Sequence, residues 1–286
     1  ARANSASVNL SSADFTNTDV WAEVGPGRSS TTTINLATEG YTNTANWRLV
    51  TDKVSSPTDT VSGTAKIAAE HTAVFNTQVL TIAGGVLAGS GAENDNTVTS
   101  SVEAKAENNS SITGRDIYIL ATNHANKPRT SEYNIKGTTG GVASGAGADS
   151  DTTINFTTLA TVGDGATLNA VDALSTTPGS ITLKTLNDIV AYDRIKLETG
   201  GAISGAGADS IISTTKDLSK IQVGTGAHLS SVGAVNMSAR GTGVANIEVN
   251  AETYGALTVA AAYSTIDLKP VNEISIGANS TVLTDG

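Results

Sequence analysis

Three observations predict an all-β chain wound as a β-solenoid, a parallel β-helix. The first is an internal repeat. Gly84-Gly85-Val86-Leu87-Ala88-Gly89-Ser90-Gly91-Ala92-Glu93-Asn94 returns as Gly140-Gly141-Val142-Ala143-Ser144-Gly145-Ala146-Gly147-Ala148-Asp149-Ser150. It returns again as Gly200-Gly201-Ala202-Ile203-Ser204-Gly205-Ala206-Gly207-Ala208-Asp209-Ser210, and in degenerate form over 254–264. The copies stand 56, 60 and 54 residues apart, a period that marks an array. The second observation is alternation with period two, as in Ile181-Thr182-Leu183-Lys184-Thr185-Leu186 and Ile247-Glu248-Val249-Asn250-Ala251-Glu252. Such segments put apolar residues on one face of a strand and polar residues on the other. The third is punctuation: each short strand is bounded by Gly, Asn, Asp or Ser.

Composition sets outer bounds. The 286 residues carry a formal net charge of −10, with 15% charged residues and no cysteine. An acidic chain of this kind does not seek nucleic acid, and no run is apolar enough for insertion into a membrane. Without disulfides, stability must come from packing and backbone pairing. The chain opens Ala1-Arg2-Ala3-Asn4, without an initiator Met and without a visible signal peptide, which points to a processed protein or a segment of a longer one.

Residues 1–60 read as a separate subdomain or cap. The pattern N-L-x4-[FY]-T-N-T-x2-W-x2-V occurs twice, at Asn9 to Val24 and Asn35 to Val50, and holds both tryptophans, Trp21 and Trp47. Each Trp is expected to anchor a local apolar cluster; the sharper alternative is a sugar-stacking platform. Gly25-Pro26-Gly27 reads as a turn between the copies, and Ser55-Ser56-Pro57-Thr58-Asp59 as a linker. The Ala-rich stretch from Ser62 to Leu80 leans slightly towards helix.

Residues 61–286 read as the array, about four repeats of 54–60 residues, with the last truncated. About 22 residues into each repeat comes a second marker. It runs Thr161-Val162-Gly163-Asp164-Gly165-Ala166-Thr167-Leu168 in one copy and Gln222-Val223-Gly224-Thr225-Gly226-Ala227-His228-Leu229 in the next. It predicts strand, tight turn, strand, with glycine supplying a positive φ. Coils of about 18–20 residues would give some three turns per repeat, each rising by the strand spacing of about 4.8 Å. Tandem sandwiches, the alternative, would want a longer unit with a buried Trp in each. The glycine-alanine stretch has small residues on both faces. Gly145, Gly147, Gly205 and Gly207 are therefore either a narrow corner or a flat side on which a neighbouring chain packs. Because the fourth copy stops at Thr284-Asp285-Gly286, an unpaired edge is expected there; either the polypeptide continues, or the start of the next subunit completes it and the assembly grows head to tail.

The recurring Gly-Gly-Ala-x-Ser-Gly-Ala-Gly-Ala-(Asp/Glu)-Ser, followed by (Val/Ile)-Gly-x-x-Ala-x-(Ile/Leu), resembles the repeats of giant bacterial filamentous adhesins of the leukotoxin and haemagglutinin-like type. Residues 84–98, 140–168, 200–229 and, more loosely, 254–283 carry it. The resemblance implies a β-helical stalk, secreted or displayed at the cell surface. The architecture and the array's edge lead to the first functional expectation, a non-enzymatic, homopolymeric subunit of a surface filament or adhesin stalk joined end to end. An adhesin module binding glycans or surfaces is the alternative. A polysaccharide-degrading β-helix enzyme is the third reading, for which Asp188, Asp193 and Arg194 are the residues close in sequence.

No cofactor is expected. The acidic residues Asp95, Asp149, Asp151 and Asp209 fall in one register and form a weak candidate row for calcium, whose ligands are oxygens. His71, His124 and His228 share no metal-ligand spacing.

Overall fold

The computed structural model describes residues 63–171 and 178–284 together with two three-residue strands near the N-terminus. The chain divides into two compact units, Ala1–Val61 and Ser62–Gly286. In the first, β1 (Trp21–Glu23) and β2 (Trp47–Leu49) pair antiparallel, with Trp21 opposite Leu49 and Glu23 opposite Trp47. The glycine-proline turn and the linker expected here lie outside the described residues.

The second unit is all β, with no helix among the described residues and with parallel pairing throughout. It consists of four layers, each one repeat long. The first holds β3 (Thr64–Val74), β4 (Val79–Ala106) and β5 (Ser111–Gly114). The second holds β6 (Asp116–Lys127), β7 (Ile135–Val162) and β8 (Thr167–Ala170). The third holds β9 (Ile181–Gly200), β10 (Ile203–Ser213), β11 (Asp217–Val223) and β12 (His228–Ser231). The fourth holds β13 (Val235–Tyr254), β14 (Leu257–Asp267), β15 (Pro270–Ile276) and β16 (Thr281–Thr284). Every strand bonds to its counterpart one layer away: Gly145 faces Gly205, Ala146 faces Ala206, and Asp149 faces Asp209.

Three expectations are corrected here. Paired residues are between 52 and 64 apart, as in Thr64 with Asp116 and Ile117 with Ile181. One repeat is therefore one layer, not three coils of about 18–20 residues. The layer also opens before the glycine-alanine stretch, at β3, β6, β9 and β13, and in that phase the fourth layer has the same segments as the others. The helical leaning at 62–80 is corrected too. Ala65, Ile67, Ala69 and Ala73 are half-buried at period two in β3, which pairs with β6 along its whole length. Alanine's helix propensity is a weak prior, and an eleven-residue parallel ladder overrides it.

Within a layer the chain runs out and comes back. The first leg is β6 and the start of β7; the second is the rest of β7; β8 crosses at the end. Facing side chains join the legs, with Asn123 Nδ2 donating to Thr158 Oγ1 at 2.6 Å and Lys127 Nζ to Thr152 Oγ1 at 2.8 Å. The interior is three apolar clusters. The largest gathers Ile117, Ile119 and Ile181 from the first leg, Val162, Ile221 and Val223 from the second, and Leu168 and Leu229 from the crossing strands. A second forms around Ala125, Ile154, Phe156, Ile189 and Ile212, and a third around Ile135, Ile195, Leu197, Ala206 and Ala208. Polar belts separate them. In one, Thr158 bonds Asn187, and Asn187 Nδ2 donates to Asp217 Oδ1 at 2.6 Å.

Candidate functional site

The glycine-alanine stretch has a separate task for each residue. Its first glycines make the reversal between the two legs. Gly85, Gly141, Gly201 and Gly255 form a column, and a Cβ on any of the last three would overlap the carbonyl oxygen of the glycine one layer before. Only glycine allows this approach. The serine turns inward and satisfies the reversal: Ser144 Oγ donates to the Gly200 carbonyl at 3.1 Å and Ser204 Oγ to the Tyr254 carbonyl at 3.2 Å. After it the alanines face in, Ala146, Ala148, Ala206 and Ala208 being buried.

The remaining glycines face out. Around Gly147 and Gly207 an added Cβ would meet nothing, and at Gly145 and Gly205 only ordinary contact. The corner reading of these four residues is thus corrected: the corner belongs to the preceding glycine column, and they pave a straight side. In register across the layers they form columns Gly89, Gly145, Gly205, Val259 and Gly91, Gly147, Gly207, Ala261. One border is apolar, with Leu87, Ile203 and Leu257 exposed. The other is the column Glu93, Asp149, Asp209, Tyr263. Shallow open depressions lie along this side, one lined by Leu87, Gly89, Ala143 and Ile203 and another by Gly91, Gly147, Gly207 and Asp149.

The acidic residues occupy two columns rather than one. Asp95 faces Asp151, and Glu93 faces Asp149, which faces Asp209. Burial pushes the Asp151 carboxyl above its ordinary value, and the charges of Asp149, Asp95, Asp209 and Glu93 push it the same way. Among the described residues no group of three or more His, Asp or Glu side chains is suited to hold a metal.

The second marker folds as strand, turn, strand. Its positive-φ position is Asn109, Gly165, Gly226 and Asn279 in successive layers. Glycine tolerates that conformation freely, and Asn tolerates it better than most residues.

Asp188, Asp193 and Arg194 do not converge. Asp188 is on the outer face, with its Oδ2 2.9 Å from His124 Nδ1 and with a bond from Thr242. Arg194 is also outside, bonded to Glu248 at 2.9 Å and stacked over Tyr133 at 4.4 Å. It also holds the Thr130 and Ser131 carbonyls, which fastens the loop before β7. Asp193 points the opposite way and is fully buried against Lys127. That pair escaped the sequence reading, because nothing in either local segment marks a partner 66 positions away. His71 lies opposite Asn123 in the first layer, and His228 Nδ1 is 2.7 Å from Thr281 Oγ1.

The fourth layer is less buried than the third. In the third layer Ile221, Val223 and Leu229 are 0%, 1% and 0% exposed. Their counterparts in the fourth, Ile274, Ile276 and Val282, are 47%, 54% and 40% exposed. The same columns continue, but the fourth layer has no neighbour beyond it among the described residues. No family model matches the chain, and neither a curated protein nor a solved structure matches it.

Proposed function

We propose that this protein is a non-enzymatic structural subunit: a parallel β-solenoid of one repeat per coil that associates end to end into a filament or stalk. The observation that carries this reading is the unbroken parallel register, in which each layer pairs residue for residue with the next from the first to the fourth. The edge of a parallel sheet built this way is a template for further pairing. A first layer from a second copy is the occupant with the matching segment order. Continued register would set Val235 on Ala65, Met237 on Ile67, Ile274 on Ala104 and Val282 on Ile112.

Charge supports the same joint. Carried through the layers, the column of Glu70, Thr122 and Leu186 reaches Arg240, so Arg240 would meet Glu70 of the next copy. The acidic columns end in Tyr263 and Thr265, so the next copy's Glu93 and Asp95 would meet no like charge. Glu273 would face Glu103, with Lys220 already bonded to Glu273 at 2.8 Å to offset it. Pro270 brings no N–H, so the joint has one donor fewer than an interior layer. The extracellular or surface setting rests on the adhesin-like character of the glycine-alanine repeat.

The test is charge reversal. E70R and R240E should each reduce concentration-dependent association in sedimentation velocity, and a mixture or double variant should restore it. A parent chain that stays monomeric at every concentration overturns end-to-end assembly. Assembly indifferent to both reversals overturns this register.

A further inference from the structure

Lys127 is the one fully buried cation among the described residues. It sits at the end of β6, two positions after the buried Ala125, and Asp193 lies in β9 between the buried Ala191 and Ile195. Both side chains have zero exposure, and Nζ lies 3.1 Å from Asp193 Oδ1. The pair spans two layers. In the fourth layer Asp193's place is taken by Ile247. A buried ion pair flanked by apolar columns adds little stability over a hydrophobic pair, because removing two charges from water costs most of what their attraction returns.

We propose that Lys127 and Asp193 condense to an intramolecular isopeptide bond that staples the second layer to the third. The step needs no co-reactant. A proton passes from Nζ to Oδ1 across the 3.1 Å contact, leaving a neutral amine and a neutral acid. The surroundings favour the neutral amine, since burial penalises its charge. Burial already holds the Lys127 amine below its ordinary value, against the opposing pull of Asp193. Nζ attacks Cγ and the C–N bond forms. The Cγ–Oδ1 bond breaks, and Oδ1 leaves as water with the proton it received and a second one from nitrogen. An ammonium and a carboxylate thus become one amide and one water.

The surrounding hydrogen bonds suit the product. The remaining N–H donates to Thr152 Oγ1, which already accepts from Nζ at 2.8 Å. Oδ2 becomes the amide carbonyl and keeps the Ser210 hydroxyl, 2.7 Å away. The Arg194 N–H loses Oδ1 but retains Asn134 Oδ1 at 3.0 Å. No group is left without a partner. In a chain with no cysteine, this bond would close a long loop covalently and hold two layers together under tension.

The test is the intact mass of the purified full chain. The expected value is the sequence mass less one water. Trypsin should then release Asp116–Arg129 joined to Thr185–Arg194, and K127M should restore the full mass. An intact mass equal to the sequence sum overturns the proposal. So does a water loss that maps anywhere other than Lys127 and Asp193. Both readings come from the parent protein, so an unfolded variant does not blunt them.

Discussion

Gly201 lies so close to Gly141 in the adjacent layer that a Cβ on Gly201 would overlap the Gly141 carbonyl oxygen. Six residues further on, Gly207 faces open space. The two glycines belong to one motif, and their substitutions should separate cleanly. G201A forces the layers apart at the reversal and should cost about 1–3 kcal/mol, the usual penalty for overpacking. G207A should change stability by less than about 0.5 kcal/mol. Denaturant melts of the two variants check this, and equal losses would contradict the corner assignment.

The Asp217 carboxyl sits beneath Asn187 in a polar belt. Burial raises it above its ordinary value, against the lowering effect of the Asn187 hydrogen bond. A raised carboxyl binds its proton at higher pH in the folded chain than in the unfolded chain. It therefore costs stability above the folded value, and the cost fades as pH falls towards the ordinary value. D217N keeps an acceptor for Asn187 and removes the charge. It should be more stable than the parent at neutral pH, and the gap should close on acidification. A gap that widens towards acid would reverse the sign and refute the argument.

Glu93, Asp149 and Asp209 repeat a like charge at the strand spacing. Directly opposed like charges destabilise a sheet. The double variant D149N/D209N should therefore melt higher than the parent at low salt. The difference should shrink as salt screens the column. Thermal melts across a salt series read both effects; a variant that melts lower would show that the column is neutralised by something bound.

Asn279 holds a φ of 57° at the turn where the preceding layer has Gly226 at 66°. N279G should stabilise by about 1 kcal/mol, the strain a side chain suffers in that region. G226A, whose Cβ meets no atom, should lose a similar amount from backbone strain alone. Chemical denaturation measures the pair, and matching signs would exclude the strain account.

The β content and the turns were legible because they rest on local chemistry. Asn109, Gly165, Gly226 and Asn279 fall at one place in one marker, and the alternation of Ile181 to Leu186 needs no tertiary information. The layer size was not legible from strand lengths. A short strand pairs equally well with the next strand in sequence or with its own copy a repeat later. The signal that decides it is the near-identity of Ser144 to Ala148 with Ser204 to Ala208, since stacked positions share one environment. The Ala65 to Ala73 segment misled because alanine favours helix in isolation while pairing with β6 governs here. The pairing of Lys127 with Asp193 gave no sign, because the equivalent positions in the neighbouring layers, Ala191 and Ile247, carry no charge.

Filament imaging bears most directly on the proposal that layers pair across copies as they do within one. Electron micrographs of the concentrated full chain should show unbranched filaments, with an axial reflection near 4.8 Å from layers paired by backbone hydrogen bonds. Uniform single particles at every concentration, with no such reflection, would contradict it.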